Sequence, residues 1–154
     1  MNATATSRLT TAQLDGQSRT VLVGLAAFAA VQVALAVFMA AAPHAFYTAI
    51  GPFGPRNDHY LRDVATYNAA LAAGLVIAIR HASWRVPMLG ILTIQFALHS
   101  INHLIDISSA DPAWIGYFDF FALAAATVQL AALTWLALGR ARTSLTSPQE
   151  GGTR

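Results

Sequence analysis

The feature that most constrains this sequence is a series of four apolar runs. They cover approximately residues 20–42, 60–79, 87–107 and 114–138. An α-helix needs about 20 consecutive apolar residues to cross the hydrocarbon core of a bilayer, so each run is long enough for one span. We therefore predict an all-α integral membrane protein, a bundle of four transmembrane helices whose main partner is the lipid bilayer.

The composition agrees with this class and excludes others. Of the 154 residues, 56% are hydrophobic and only 10% are charged, which is too little charge to cover a soluble globule. The nine basic residues are scattered and the net charge is only +2, so no basic stripe is available for nucleic acid, and we exclude nucleic-acid binding. The absence of cysteine excludes disulfides and thiolate metal sites.

The distribution of arginine predicts the orientation in the membrane. Arg56 and Arg62 belong to one side, and the other side, shared by both termini and the loop between the second and third runs, carries the remaining arginines: Arg8, Arg19, Arg80, Arg85, Arg140, Arg142 and Arg154. The positive-inside rule then places both termini in the cytoplasm. The use of arginine without lysine, together with alanine-rich helices, suggests a bacterial protein. We expect a multi-pass protein of the bacterial cytoplasmic membrane, with polar cytoplasmic tails at residues 1–19 and 140–154.

The segments between the runs contain residues typical of helix ends. These are Pro43 after the first run, Asn57 or Asp58 before the second, Pro87 at the start of the third, Asp111 and Pro112 before the fourth, and Gly139 after it. The loop at residues 43–56 mixes aromatic residues with glycine and proline. Two interpretations stay open for this loop: a lid on the membrane surface, or an ordinary connector with interfacial aromatic anchors.

The third run carries a stripe of polar side chains. At 100° per residue, the stripe falls within about 100° of arc on one helical face, and it consists of Gln95, His99, Asn102, His103 and Asp106. Polar side chains at membrane depth are costly when they face lipid. We therefore expect the stripe to face the bundle interior or a water-filled pocket near the outer side.

The second run presents a matching polar face with His59, Arg62, Asp63 and Thr66. His59 and Asp63 repeat the four-residue spacing of His99 and His103, so each pair can offer two ligands to one ion. Imidazole and carboxylate suit Zn, Cu, Fe or Mn, and the interiors of helix bundles hold such sites. The spacing predicts a non-haem metal ion held by His59, Asp63, His99 and His103, and a haem ranks below it.

Two further residues suggest a small-molecule pocket instead of a metal site. The guanidinium of Arg62 can hold an anion or the oxygen of a quinone or ketone. Asp119 of the fourth run lies near the same outer mouth. We therefore predict Arg62 and Asp119 as cofactor-binding residues, with a quinone-like ligand as the alternative to a metal.

A third interpretation is structural. Intramembrane polar groups commonly pair with one another, so the same residues can act as interhelical glue in a non-enzymatic accessory protein. The glutamines of the membrane runs, Gln32, Gln95 and Gln129, are most simply interhelical hydrogen-bond partners. A transport path is the least favoured interpretation, because no chain of ionisable residues links the outer cluster to the cytoplasm.

The size, the four-span layout and the aromatic loop containing glycine and proline resemble those of small bacterial DoxX-like membrane proteins. Some members of that grouping are linked to quinone-dependent oxidation. The resemblance covers residues 20–139 at the level of architecture and transfers no site residue to this chain. It implies a redox-associated role for the predicted pocket.

Overall fold

The computed structural model describes the backbone of residues 3–146 and the side chains of residues 15–142. Residues 1–2 and 147–154, at the ends of the two predicted tails, lie outside the described residues. The described part contains five α-helices and a single 3₁₀ turn. Their bounds are α1 Ala3–Ala41, α2 Pro43–Ala49, α3 Asp58–Arg80, the 3₁₀ turn Ala82–Trp84, α4 Arg85–Ile105 and α5 Ala113–Thr146.

Four segments are long and apolar enough to cross a membrane, by length and composition. They are Asp15–Ala41, Asp58–Arg80, Ala82–Ile105 and Ala113–Arg142. The prediction of an all-helical chain with four membrane-length helices is thus confirmed. Large apolar side chains are exposed along these helices, among them Val128 and Trp135, which are 70% and 73% exposed.

The helix ends follow local sequence signals at some positions and depart from them at others. The side chain of Asn57 caps α3, accepting hydrogen bonds from the backbone N–H groups of His59 and Tyr60 at 3.0 and 3.3 Å. Pro43 begins α2 directly after α1. Gly139 does not end the fourth membrane helix, because α5 continues through it. Glycine lowers helix propensity by about 1 kcal/mol but does not prevent the α conformation.

The long helices form two pairs, in which α1 packs along α3 and α4 packs along α5. The pairs come together in the half of the bundle nearer the chain termini, where a continuous apolar core includes Leu25, Leu75, Leu89 and Leu130. Two glycines permit this approach. A Cβ atom on Gly24 would lie 2.5 Å from Leu133 Cδ1, and one on Gly74 would lie 2.6 Å from Met88 Cε.

The opposite end of the bundle carries residues 42–57 and 106–112, and we call it the capped end. A second, smaller core cluster lies here and joins Met39, Phe46 and Ala65. The ring of Phe46 packs edge-on against Phe38, with ring centroids 5.6 Å apart. Helix α2 is thereby anchored to the two helices that flank it, α1 and α3.

Candidate functional site

A cavity of about 610 Å³ lies between the four long helices on the capped side of the main core. Its wall is mostly apolar, with side chains such as Leu35, Val64 and Leu123. Phe28 of α1 and Phe96 of α4 also line it, and their rings meet edge to face with centroids 5.8 Å apart. Because both phenylalanines also belong to or pack against the main core, they connect the cavity wall to the closed half of the bundle.

The apolar wall is interrupted by a small number of polar side chains. His99 and His103 come from α4, and Asp119 comes from α5. Each long helix also contributes one carboxamide: Gln32 from α1, Asn68 from α3, Gln95 from α4 and Gln129 from α5. A mostly apolar cavity with a few convergent polar groups is the usual form of a small-molecule site, and its volume falls within the range of about 300–1,000 Å³ typical of such sites.

The two histidines of the cavity contact each other. Their spacing of four residues places them one turn apart on α4, and the Nε2 atoms lie 3.1 Å apart with ring centroids at 4.8 Å. One Nε2–H must therefore donate a hydrogen bond to the other Nε2, since two facing N–H groups or two facing bare nitrogens would repel each other. The pair is joined within α4 and does not tie that helix to a neighbour.

Three cavity residues carry polar atoms that are shielded from solvent and have no hydrogen-bond partner among the described residues. The atoms are Gln95 Oε1, His103 Nδ1 and Asp119 Oδ2. A buried polar atom without a partner costs about 1–3 kcal/mol. Such atoms commonly mark a functional site, because the native fold retains them against that cost.

The segment at residues 43–56, which we call the lid, covers the cavity at the capped end. Phe46, Ile50, Gly51 and Phe53 of the lid line the cavity, and the ring of Phe53 lies edge-on to His103 with centroids 4.9 Å apart. The sequence left a lid on the membrane surface and an ordinary connector open for this segment, and both stay predictions. On the side of the lid, His103 is therefore flanked by an aromatic ring, whereas His99 keeps an exposed surface.

Hydrogen bonds join the lid to the loop between α4 and α5, and a further hydrogen bond joins two residues within the lid. Its backbone forms an isolated antiparallel bridge between Phe53 and Ala110, and the backbone N–H of Asp111 donates to the carbonyl of Pro52 at 3.3 Å. Within the lid, the hydroxyl of Tyr47 donates to the carbonyl of Gly54 at 2.5 Å. Gly54 has a φ of +62°, which a residue without Cβ adopts readily.

Two polar contacts further fix the lid's C-terminal end. The guanidinium of Arg56 hydrogen-bonds to His44 Nδ1, which joins the end of the lid to its beginning. Arg56 Nε also lies 3.0 Å from Asp58 Oδ1, at the start of α3. Arg56 therefore bonds to one residue within the lid and pairs with one carboxylate where the lid joins α3.

The structure divides the six predicted site residues into two groups. His99, His103 and Asp119 line the cavity, whereas His59, Arg62 and Asp63 do not. His59 and Asp63 form an exposed pair, with Nε2 and Oδ2 at 3.5 Å and the side chains 76% and 51% exposed. The six residues predicted to share one pocket therefore do not line a common cavity in this fold.

The physical reason lies in the packing of α3. Leu61, Val64 and Asn68 share the face of this helix that lines the cavity, and Ala65 and Leu75 on nearly the same side are buried. At 100° per residue, the polar face of His59, Arg62, Asp63 and Thr66 lies on the far side of the helix. Burial of the apolar face decides the rotation of α3, and the polar face near its end is left exposed.

This rotation also affects the predicted metal site. The four predicted ligands form two separate pairs, His59 with Asp63 and His99 with His103. Within the side chains that the structure describes, no group of three or more His, Asp or Glu residues is placed to hold a metal ion. The geometry therefore gives no support to the predicted metal site.

Several cavity residues were not predicted from the sequence. Asn68 points away from His59 on the helical wheel. Because His59 faces the exterior, Asn68 faces the cavity. The signal that identifies it is the spacing of Leu61, Val64 and Asn68, which is the i, i+3, i+7 pattern of one helical face. The lid aromatics carry no comparable signal, because Phe53 is placed by the bridge to Ala110 and Phe46 by its packing against Met39 and Ala65.

Comparison with protein family models, with curated proteins and with solved structures finds no match for this chain. The likeness to DoxX-like proteins therefore stays an architectural prediction.

Proposed function

We propose that this chain is a multi-pass protein of the bacterial cytoplasmic membrane that binds a small, largely apolar, quinone-like molecule in the cavity beneath the lid. The capped end is then the outer side, both termini are cytoplasmic, and the cavity lies in the outer leaflet. The observation that carries the proposal is the cavity itself, about 610 Å³ in volume, with an apolar wall and the polar group of His99, His103 and Asp119.

The apolar wall supports a ligand that partitions into the membrane. Most of the lining is aliphatic or aromatic, and Phe28, Phe46, Phe53 and Phe96 all contribute. Flat ring systems pack well against such side chains. The few polar groups then orient the ligand, and the histidines offer hydrogen bonds to it.

The bonding pattern favours ligand binding over the interhelical-glue interpretation. The side-chain hydrogen bonds that join α4 to α5 among the described residues involve hydroxyl groups: Thr93 to Thr134 at 3.1 Å and Ser100 to Thr127 at 3.3 Å. The histidine pair bonds within α4, and no hydrogen bond or ion pair among the described residues includes the carboxylate of Asp119. Apart from the contact between the two histidines, the polar cavity residues of different helices are not joined to one another by hydrogen bonds among the described residues.

The test is equilibrium dialysis of the purified protein in nanodiscs against a benzoquinone with a short apolar chain. We expect saturable binding of one molecule per chain. Ala122→Phe introduces a ring into the cavity lining and should weaken binding more than ten-fold, whereas Ala131→Phe, on an exposed part of α5 outside the lining, should leave it unchanged. Equal binding to all three proteins would refute the cavity as the site.

A parallel measurement addresses the metal alternative. Elemental analysis of the same sample is compared with that of His99→Ala combined with His103→Ala. If the wild-type protein retains one equivalent of a transition metal that the double variant lacks, and binds no quinone, the small-molecule proposal is wrong. His81→Ala, which changes an exposed histidine at the other end of the bundle, serves as the control.

A further inference from the structure

The hydrogen-bonding groups of the cavity wall indicate what kind of polar group its ligand carries, an inference that rests on the proposed function. The described lining contains two imidazoles, one carboxylate and four carboxamides. Side chains that can only donate, those of Arg, Lys and Trp, do not occur among these lining residues. Asp119 accepts at both oxygens when it is ionised, whereas a protonated carboxyl accepts at its carbonyl oxygen and donates through its O–H.

The histidine pair does not supply an excess of donors. A neutral imidazole has one N–H and one bare nitrogen. The contact between His99 Nε2 and His103 Nε2 uses one donor and one acceptor. The two Nδ1 atoms then present one N–H and one bare nitrogen, so the pair is balanced, and the carboxylate makes acceptors the majority in the wall as a whole.

Two of the three unpartnered cavity atoms agree with this majority, and the third, His103 Nδ1, is a donor or an acceptor according to the tautomer. Gln95 Oε1 and Asp119 Oδ2 are both acceptors, and neither receives a hydrogen bond from the described residues. A ligand that donates hydrogen bonds at this end of the cavity would reduce the cost of leaving acceptors unpaired. A ligand that only accepts can bond to the N–H groups of the carboxamides, but it leaves these two oxygens without a partner.

The placement of charge excludes one further class. Arg62 lies outside the lining, and Arg56 is engaged with His44 and Asp58 in the lid. An anionic ligand in the cavity would face the carboxylate of Asp119 without a compensating guanidinium. The cost of an unpaired charge at membrane depth then opposes its entry.

We infer that the ligand of this cavity is an uncharged molecule with an apolar body and hydroxyl groups, which donate hydrogen bonds to Asp119 and Gln95. In a quinone and hydroquinone pair, the cavity selects the hydroquinone. The two forms have nearly the same shape, but the hydroquinone donates two hydrogen bonds where the quinone only accepts.

Three probes with the same short apolar chain test this inference on the wild-type protein in nanodiscs, without oxygen: a hydroquinone, the corresponding benzoquinone and a benzoate. We expect the Kd of the hydroquinone to be about ten-fold lower than that of the quinone, which is the worth of one net hydrogen bond. The benzoate should bind more weakly than either. Asp119→Asn exchanges one acceptor oxygen for an NH2 donor. It should therefore reduce the ratio of the quinone Kd to the hydroquinone Kd.

The outcomes separate this inference from the proposed function. If quinone and hydroquinone bind equally, or the benzoate binds as tightly as the hydroquinone, the selection for donors is refuted while the cavity remains a binding site. If no probe binds, the proposed function itself fails. Because the comparison of probes uses the wild-type protein, an Asp119→Asn variant that does not fold leaves the main test intact.

Discussion

Gly116 of α5 lies directly against the backbone carbonyl of Ile107: a Cβ atom on this glycine would be 2.2 Å from the Ile107 oxygen. The contact fixes the first turn of α5 against the loop that follows α4. Asp119 lies one turn further along α5. The position of the only carboxylate in the described cavity lining therefore depends on the absence of a side chain at residue 116.

We expect Gly116→Ala to destabilise the protein by about 1–3 kcal/mol, because a backbone oxygen cannot move aside as a flexible side chain can. Thermal unfolding in mild detergent, followed by circular dichroism, measures the change. Gly90→Ala is the matched control, since a Cβ there meets nothing within 4 Å and alanine is the better helix former. Equal unfolding temperatures for the two variants would contradict the close contact at Ile107.

The hydroxyl pairs between α4 and α5 are expected to contribute little. Ser100 Oγ also donates to the carbonyl of Phe96 at 2.8 Å, and Thr127 Oγ1 donates to that of Leu123 at 2.8 Å. Each hydroxyl has one proton, so the contact between the helices competes with bonds inside them. A double-mutant cycle of Ser100→Ala and Thr127→Val should give a coupling energy of no more than about 0.6 kcal/mol. A coupling energy near 2 kcal/mol would show that these hydroxyls bond to each other across the interface in preference to the carbonyls of their own helices.

Removal of the Phe53 ring is expected to open the cavity. Phe53→Ala deletes the ring that lies edge-on to His103 while leaving the backbone bridge to Ala110 possible. The chain contains no cysteine, so a single Leu35→Cys in the cavity lining reports access without background. A water-soluble thiol reagent should label this cysteine several-fold faster when Phe53 is replaced.

The control for this experiment is Phe118→Ala, which removes an outward-facing ring that is 63% exposed. Its labelling rate should equal that of the protein with Leu35→Cys alone. If both phenylalanine variants accelerate labelling to the same degree, the effect arises from general loosening and the lid does not limit access.

The orientation in the membrane can be tested with two matched serine substitutions. Ser108 lies in the exposed loop of the capped end, and Ser83 lies in the 3₁₀ turn at the opposite end. In intact bacterial cells, an impermeant thiol reagent should label Ser108→Cys and should label Ser83→Cys only after permeabilisation. The reverse pattern would place the lid and the cavity on the cytoplasmic side and overturn the expectation based on arginine.

The sequence is enough to predict the four membrane-length helices, because a bilayer imposes one length and an apolar composition on any segment that crosses it. It also placed His99 and His103 together, since residues four apart on a helix are always neighbours. Asn57 as the cap of α3 was one of two neighbouring candidates, and such signals act within a single turn. These features depend on local geometry alone.

Which helical faces meet depends on packing between distant parts of the chain. The polar face of His59, Arg62 and Asp63 has the same periodicity as the stripe of α4, and periodicity cannot tell which of two faces turns inward. Burial of Ala65 and Leu75 in the two core clusters made that choice and brought Asn68 to the cavity instead. The lid depended equally on distant contacts, because Phe53 reaches His103 only through the bridge between its backbone and Ala110. Local sequence signals determine the length and the ends of each helix. Packing against the neighbouring helices determines its rotation, and hence which side chains face the cavity.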